Sequence, residues 1–176
     1  MKIGVVSDTH RNKSILNDVV EWLLSDQHIG SLYHLGDDYE DVSDLADRGV
    51  EIVQVPGIYH QRYYDGTLPK KQVENIMGLR IVLVHSLDKD ITENDKTVTD
   101  IILFGHTHKP TIQLRDGLLL MNPGHMKSHI DKTVEPSFGL LDIQDQSVTA
   151  TIFDLNFKEI NRVKLMKSES GLFRTS

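Results

Sequence analysis

Five times in the first 105 residues a short, largely apolar run stops abruptly on glycine, proline, aspartate or histidine. Residues 2–7 end in Asp8-Thr9-His10, 31–35 in Gly36-Asp37-Asp38, 50–55 in Pro56-Gly57, 79–84 in His85, and 99–104 in Gly105-His106-Thr107-His108. Runs this short and mostly apolar, bounded by turn residues, read as buried strands rather than helices. Between the first two, Ile15, Leu16, Val19, Val20, Leu23 and Leu24 recur at helical spacing, and Asn12 or Ser14 can cap the helix they define. A short helix is expected at 42–46. Strand, helix, strand, helix, strand indicates an α/β unit with a largely parallel sheet. In such sheets ligands collect outside the carboxyl ends of the strands, where all these polar residues fall.

The last third changes character. Residues 111–114, 118–121, 138–143, 148–154 and 159–165 read as successive short strands, with Asp116-Gly117 as a hairpin turn. Residues 71–77 read as a further strand, 58–66 as a loop, and 88–100 as a polar loop with at most a helical turn. Nothing divides the chain, so one domain is expected over 1–167, with a frayed tail over 168–176. A chain of 176 residues can bury a sizeable core. The apolar start turns polar too soon for a signal peptide, and no run could span a bilayer. A cytoplasmic location without membrane contact is therefore expected. A formal net charge of −7 argues against non-specific nucleic-acid binding.

The chain has nine histidines and no cysteine, which removes disulfides, thiolate nucleophiles and Cys-based zinc sites. Residues at i and i+2 near a strand end project to one side, so Asp8/His10 and His106/His108 form natural pairs. One such pair is weak evidence. Four strand ends carrying Asp8/His10, Asp37, His85 and His106/His108 are much stronger. Imidazoles mixed with carboxylates suit Mn, Zn, Fe or Ni better than Ca or Mg. Six ligands exceed one tetrahedral ion; two ions about 3.5–4 Å apart that share an aspartate fit better.

At this point the residues resemble a known family. Asp8-x-His10, Gly36-Asp37, His85 and Gly105-His106-Thr107-His108 are similar to the motifs of the calcineurin-like metallophosphoesterases, and Asn122-Pro123-Gly124 to the small single-domain bacterial and archaeal phosphodiesterases among them. The likeness runs from residue 2 to about 165. It implies a four-layer α-β-β-α sandwich, two mixed sheets flanked by helices. It further implies that Asp8, His10 and His108 hold one divalent ion, His85 and His106 a second, and that Asp37 bridges them; Mn²⁺ is the first candidate. The implied activity is hydrolysis of a small phosphodiester by in-line attack of a bridging hydroxide. The alternative is a degenerate binding scaffold, since the family includes a scaffold subunit of a membrane-trafficking coat. A homo-oligomer is left open.

One departure matters. After the third strand the family supplies an asparagine ligand to the second ion, then a Cys or His near the leaving group. Here the turn reads Gly57-Ile58-Tyr59-His60. Ile58 cannot coordinate, and Tyr59 occupies the following position. His60 is the candidate to compensate, either as a ligand of the second ion or as a catalytic acid. Arg11 and Tyr59 are candidate substrate contacts, and Arg62, Tyr63 and Tyr64 a candidate pocket wall. Asp38 reads as a turn cap, His125 as a loop residue within reach of the site or in solvent, His34 as facing away from the metals, and His28 and His129 as surface residues.

Overall fold

The computed structural model describes residues 1–131, 133–168 and 171–174. The first apolar run is β1 (Lys2–Val6), followed by α1 (Lys13–Ser25), β2 (Ser31–His34), a 3-10 helix over Tyr39–Arg48, and β3 (Glu51–Gln54). The helical crossovers make the three strands parallel, with Val5 opposite Tyr33 and Tyr33 opposite Val53. Four later strands join the far side of β1: β9 (Ser137–Ile143), β10 (Ser147–Asp154), β11 (Glu159–Ser168) and β12 (Gly171–Phe173). The sheet order is β12-β11-β10-β9-β1-β2-β3. The second sheet takes β4 (Lys71–Ile76), β5 (Leu79–Val84), β6 (Ile101–Phe104), β7 (Thr111–Arg115) and β8 (Leu118–Asn122) in the order β4-β5-β6-β8-β7.

Alternation along β5 shows how the layers stack. Ile81 and Leu83 turn inward and meet Ile3, Val5, Tyr33 and Leu35 of the first sheet. Val82 and Val84 turn outward with Ile102, Phe104, Leu87 and Ile91. From Ile81 to Val84 the strand is buried on both faces, which is why that run is apolar without a period. On the far side Leu16, Val19, Val20 and Leu23 of α1 cover Val6, Leu32 and Phe138. Each fully buried aliphatic side chain contributes about 1.5–3 kcal/mol. The result is the expected four-layer sandwich.

Three local expectations change. Residues 88–100, read as a loop, contain α3 (Leu87–Asp90) and α4 (Glu93–Val98). A capping box replaces apolar periodicity there: Thr92 Oγ1 accepts from the Asp95 N–H at 3.2 Å, and Asp95 Oδ2 accepts from the Thr92 N–H at 2.8 Å. Within the tail expected to fray, Gly171–Phe173 pairs with β11, with Leu172 opposite Lys167; residues 169–170 and 175–176 lie outside the described residues. The 58–66 loop also holds one short helix, α2 (Gln61–Tyr64). Among the described residues no helix is long and apolar enough to cross a membrane.

Candidate metal centre

Adjacent parallel strands end together, and here each sheet supplies one such pair: β1 and β2 in the first, β5 and β6 in the second. Their carboxyl ends converge. His10 Nε2 lies 3.4 Å from Asp37 Oδ2, and His85 Nε2 lies 3.1 Å from Asp37 Oδ1. Asp37 thus presents one oxygen to each side. His108 Nε2 is 3.1 Å from Asp8 Oδ1 and 3.2 Å from His10 Nε2. One ligand atom each from Asp8, His10, Asp37 and His108 falls within 4.8 Å of the others. The His85 ring, on the other flank of Asp37, meets the His106 ring edge-on with centroids 5.2 Å apart.

Proton bookkeeping shows what this cluster fits. The Nδ1 of His85 donates to the Leu35 carbonyl at 2.6 Å, so Nδ1 carries a proton. In the neutral ring, Nε2 then turns a lone pair toward the Asp37 carboxylate. His108 repeats the arrangement: Nδ1 faces the Asp131 carboxylate, and Nε2 faces Asp8. Lone pair against carboxylate is repulsive unless a cation or an extra proton lies between them. Neither Asp8 Oδ1 nor His85 Nε2 has a hydrogen-bond partner, although both are buried. Buried polar atoms in that state call for an occupant. The donor set of imidazoles and carboxylates fits divalent transition metals.

Without an ion, protons take its place. Burial pulls the His85 pKa down, but the Asp37 and Asp8 carboxylates outweigh it, so the net shift is upward. Contact with Asp8 raises His108 against burial. His10 is lowered, mainly by burial. Burial would raise Asp37, yet His85, His10 and His108 together hold it at about 2. An ion held here would have to displace imidazole protons, so its affinity would fall as pH falls.

The backbone is built for this convergence. Asp8, His10, Arg11, His106 and His108 all adopt φ between 49° and 67°. The left-handed region costs a non-glycine residue about 1–2 kcal/mol, so other contacts must hold these loops. Thr9 Oγ1 and the Arg11 N–H donate to Asp41 Oδ2 at 2.6 and 2.9 Å, and the Met126 N–H donates to the Asp8 carbonyl at 3.1 Å. Gly105 is required by space: a Cβ there would lie 2.0 Å from Ser7 Oγ and 2.9 Å from Asp8 Oδ2. At Gly57 it would lie 2.6 Å from Asp37 Cα.

The remaining candidates divide. Ile58 is buried at 4% exposure, whereas Tyr59 is 78% exposed. His60 caps α2: its Nδ1 accepts from the Arg62 N–H at 3.2 Å, and its Nε2 meets Glu40 Oε1 at 3.1 Å. Both nitrogens are occupied, so His60 must exchange the exposed Glu40 to act on anything else. It nonetheless lines a cavity of about 470 Å³ with His10, Arg11, Asp37, Glu40 and Tyr59. The Arg11 side chain reaches Asp38 from an exposed position, Nε to Oδ1 2.9 Å. Of the expected wall, Arg62 pairs with Glu40 and the buried Tyr63 donates to Asp90, leaving Tyr64 exposed.

His34 is buried behind the site, 3.3 Å from Thr9 Oγ1, and burial pushes its pKa down to about 4. His125, read as a loop residue within reach of the site or in solvent, is fully buried, with its ring 5.2 Å from that of His108 between centroids. Its Nε2 donates to the Val134 carbonyl and its Nδ1 accepts from the Lys127 N–H, both at 3.1 Å, so it fastens its own loop. Asp131 behind His108 was not foreseen; a lone loop aspartate with no period gives no sequence signal.

Comparison with known proteins agrees with this geometry. The calcineurin-like phosphoesterase superfamily domain matches residues 1–146. A phosphodiesterase of Methanocaldococcus jannaschii is 24% identical, over 88% of this chain and 100% of that protein. The fold is shared with YfcE, a phosphoesterase of E. coli, at TM-score 0.73 and 22% identity, covering 93% of this chain and 98% of that one. It is also shared with Vps29 of Entamoeba histolytica, solved complexed with Zn²⁺, at TM-score 0.70 and 22% identity over 94% and 99%. With a family match over most of its length and candidate ligands at the strand ends, the chain belongs to the calcineurin-like phosphoesterase superfamily.

Proposed function

We propose that the protein is a cytoplasmic, metal-dependent phosphodiesterase acting on small diesters through two divalent cations, Mn²⁺ foremost. The observation that carries this reading is Asp37 directing its two oxygens to opposite imidazoles, His10 and His85. Asp8, His10 and His108 would hold one ion, His85 and His106 the other, with Asp37 shared. Two bound cations would activate a water for in-line attack and neutralise the phosphoryl oxygens. The remaining work falls to the chain. The left-handed loops fix the ligand atoms in place, so little reorganisation is needed when charge develops. His60 would swing off Glu40 to complete the second ion's shell or to protonate the leaving oxygen. Exposed Arg11 and Tyr59 at the mouth would meet the substrate's phosphate and its organic arm.

A scaffold reading draws on the fold shared with Vps29 and on Ile58, whose buried aliphatic side chain stands where a ligand belongs. It leaves unexplained two buried lone pairs aimed at carboxylates. A metal-reconstituted screen across phosphomonoesters, diesters and cyclic nucleotides separates the two. Turnover of at least one diester, abolished by chelator, is expected; no turnover with any ester in any metal would favour the scaffold.

A further inference from the structure

We infer that Asp131 is a positioning residue that makes the His108 side of the centre its high-affinity half. The inference rests on the two-ion reading above. The imidazoles of His85 and His108 are both oriented through Nδ1, but by different acceptors. His85 leans on the neutral Leu35 carbonyl. His108 leans on a carboxylate, and an anion behind an imidazole raises its basicity and fixes the tautomer with Nε2 free.

The loop carrying Asp131 is braced to deliver that carboxylate. His125 spends both ring nitrogens on it. Met126 is fully buried, its N–H on the Asp8 carbonyl and its own carbonyl accepting from Asn12 Nδ2 at 3.1 Å. Asp131 and Val134 close a two-way backbone pair at 3.0 and 2.8 Å. Lys127 Nζ also pairs with the same Asp131 oxygen, at 3.1 Å. Asp131 reaches no ligand atom of the centre itself; it acts only through His108.

Calorimetric titration of the metal-free protein with Mn²⁺ tests this in three chains. The wild type should bind in two steps. Asp131→Ala should weaken the tighter step by about 10–100-fold, the usual cost of losing such a partner, and leave the weaker step within about threefold, under 0.7 kcal/mol. Lys127→Ala is the control for loop integrity. It removes a cation near the centre but keeps the carboxylate, so the tighter step should stay equal or strengthen. Metal-free melting curves establish that each variant is folded before titration. Unchanged affinity in a folded Asp131→Ala overturns the inference and leaves the two-ion reading standing. Equal weakening in both variants also overturns it, since the loop and not the carboxylate would then matter. A wild type that takes up no Mn²⁺ overturns both.

Discussion

The two halves of the centre are built to different standards. On one side Asp8 accepts from Ser7 Oγ at 2.6 Å and from the His106 N–H at 3.0 Å, and His108 is backed by Asp131. On the other, His85 is held by the Leu35 carbonyl, but the turn after β3, where the family would supply an asparagine, carries buried Ile58. Beyond Ile58 the chain runs out into exposed Tyr59 and into His60, tied to Glu40 at the surface. On the two-ion reading proposed above, the braced half would suit permanent occupancy, and the half without an asparagine oxygen would suit an ion that exchanges or one completed by substrate.

The change that should erase this contrast is Asp37→Asn. It removes the one charge both halves share while nearly keeping shape. Turnover should fall by at least about 10²–10³-fold, the scale of losing a single strong electrostatic contact, and both Mn²⁺ steps should weaken together. Metal titration paired with steady-state rates is the check. If only one step moved, Asp37 would belong to one half and the bridging role would fail.

Ile58→Asn sharpens the contrast from the other direction. An amide oxygen next to His85 and His106 should tighten the second ion at least tenfold, about 1.4 kcal/mol. The same amide without an ion is a buried polar group lacking a partner, at about 1–3 kcal/mol. The variant should therefore melt below wild type in chelator and above it in saturating Mn²⁺. Equal melting offsets in both conditions would mean that the amide does not reach the centre.

How far this asymmetry could be read from sequence depends on where each contact lies. The placement of Asp8, His10, Asp37, His85, His106 and His108 just beyond strand ends was legible because each follows an apolar run whose end the sheet fixes. The missing donor at Ile58 was legible only against the family's turn. The bracing was not legible: Asp131 lies 23 residues beyond His108, in a loop whose course is set by Met126 and His125 packing. The same limit hid α4, whose stability comes from the Thr92–Asp95 box rather than from a periodic face.

His60→Ala probes the same half from the surface. The loss of its cap on α2 should cost about 1 kcal/mol. If His60 completes the second ion, the weaker Mn²⁺ step should loosen while the tighter one holds. If it is the acid, both affinities should stay and turnover should fall by about 10²-fold. Unchanged affinity and turnover would make it a cap and nothing more.

The smallest effect lies in neither half, and it supplies the background against which acid sensitivity of the centre must be read. Asp95 sits in the α4 capping box and takes Lys71 Nζ at 2.8 and 2.9 Å. Lys71 first, then the Thr92 backbone and hydroxyl, lower its pKa from 3.8 to about 2. A carboxyl with a depressed folded pKa stabilises the fold above its unfolded value and loses that contribution as pH falls toward the folded one. The window is thus pH 4 down to 2. A shift of that size corresponds to about 2 kcal/mol at most. With the Lys71 side chain 34% exposed, solvent screening brings the expected figure to about 1 kcal/mol. In chelator, Asp95→Asn should lower stability at pH 6 by about that amount and flatten the loss between pH 4 and 2. In Mn²⁺ the variant should show the same metal-dependent rise as wild type, because Asp95 touches neither half. Acid unfolding curves that run parallel for the two proteins would assign the whole acid limb to the centre and remove Asp95 from the account.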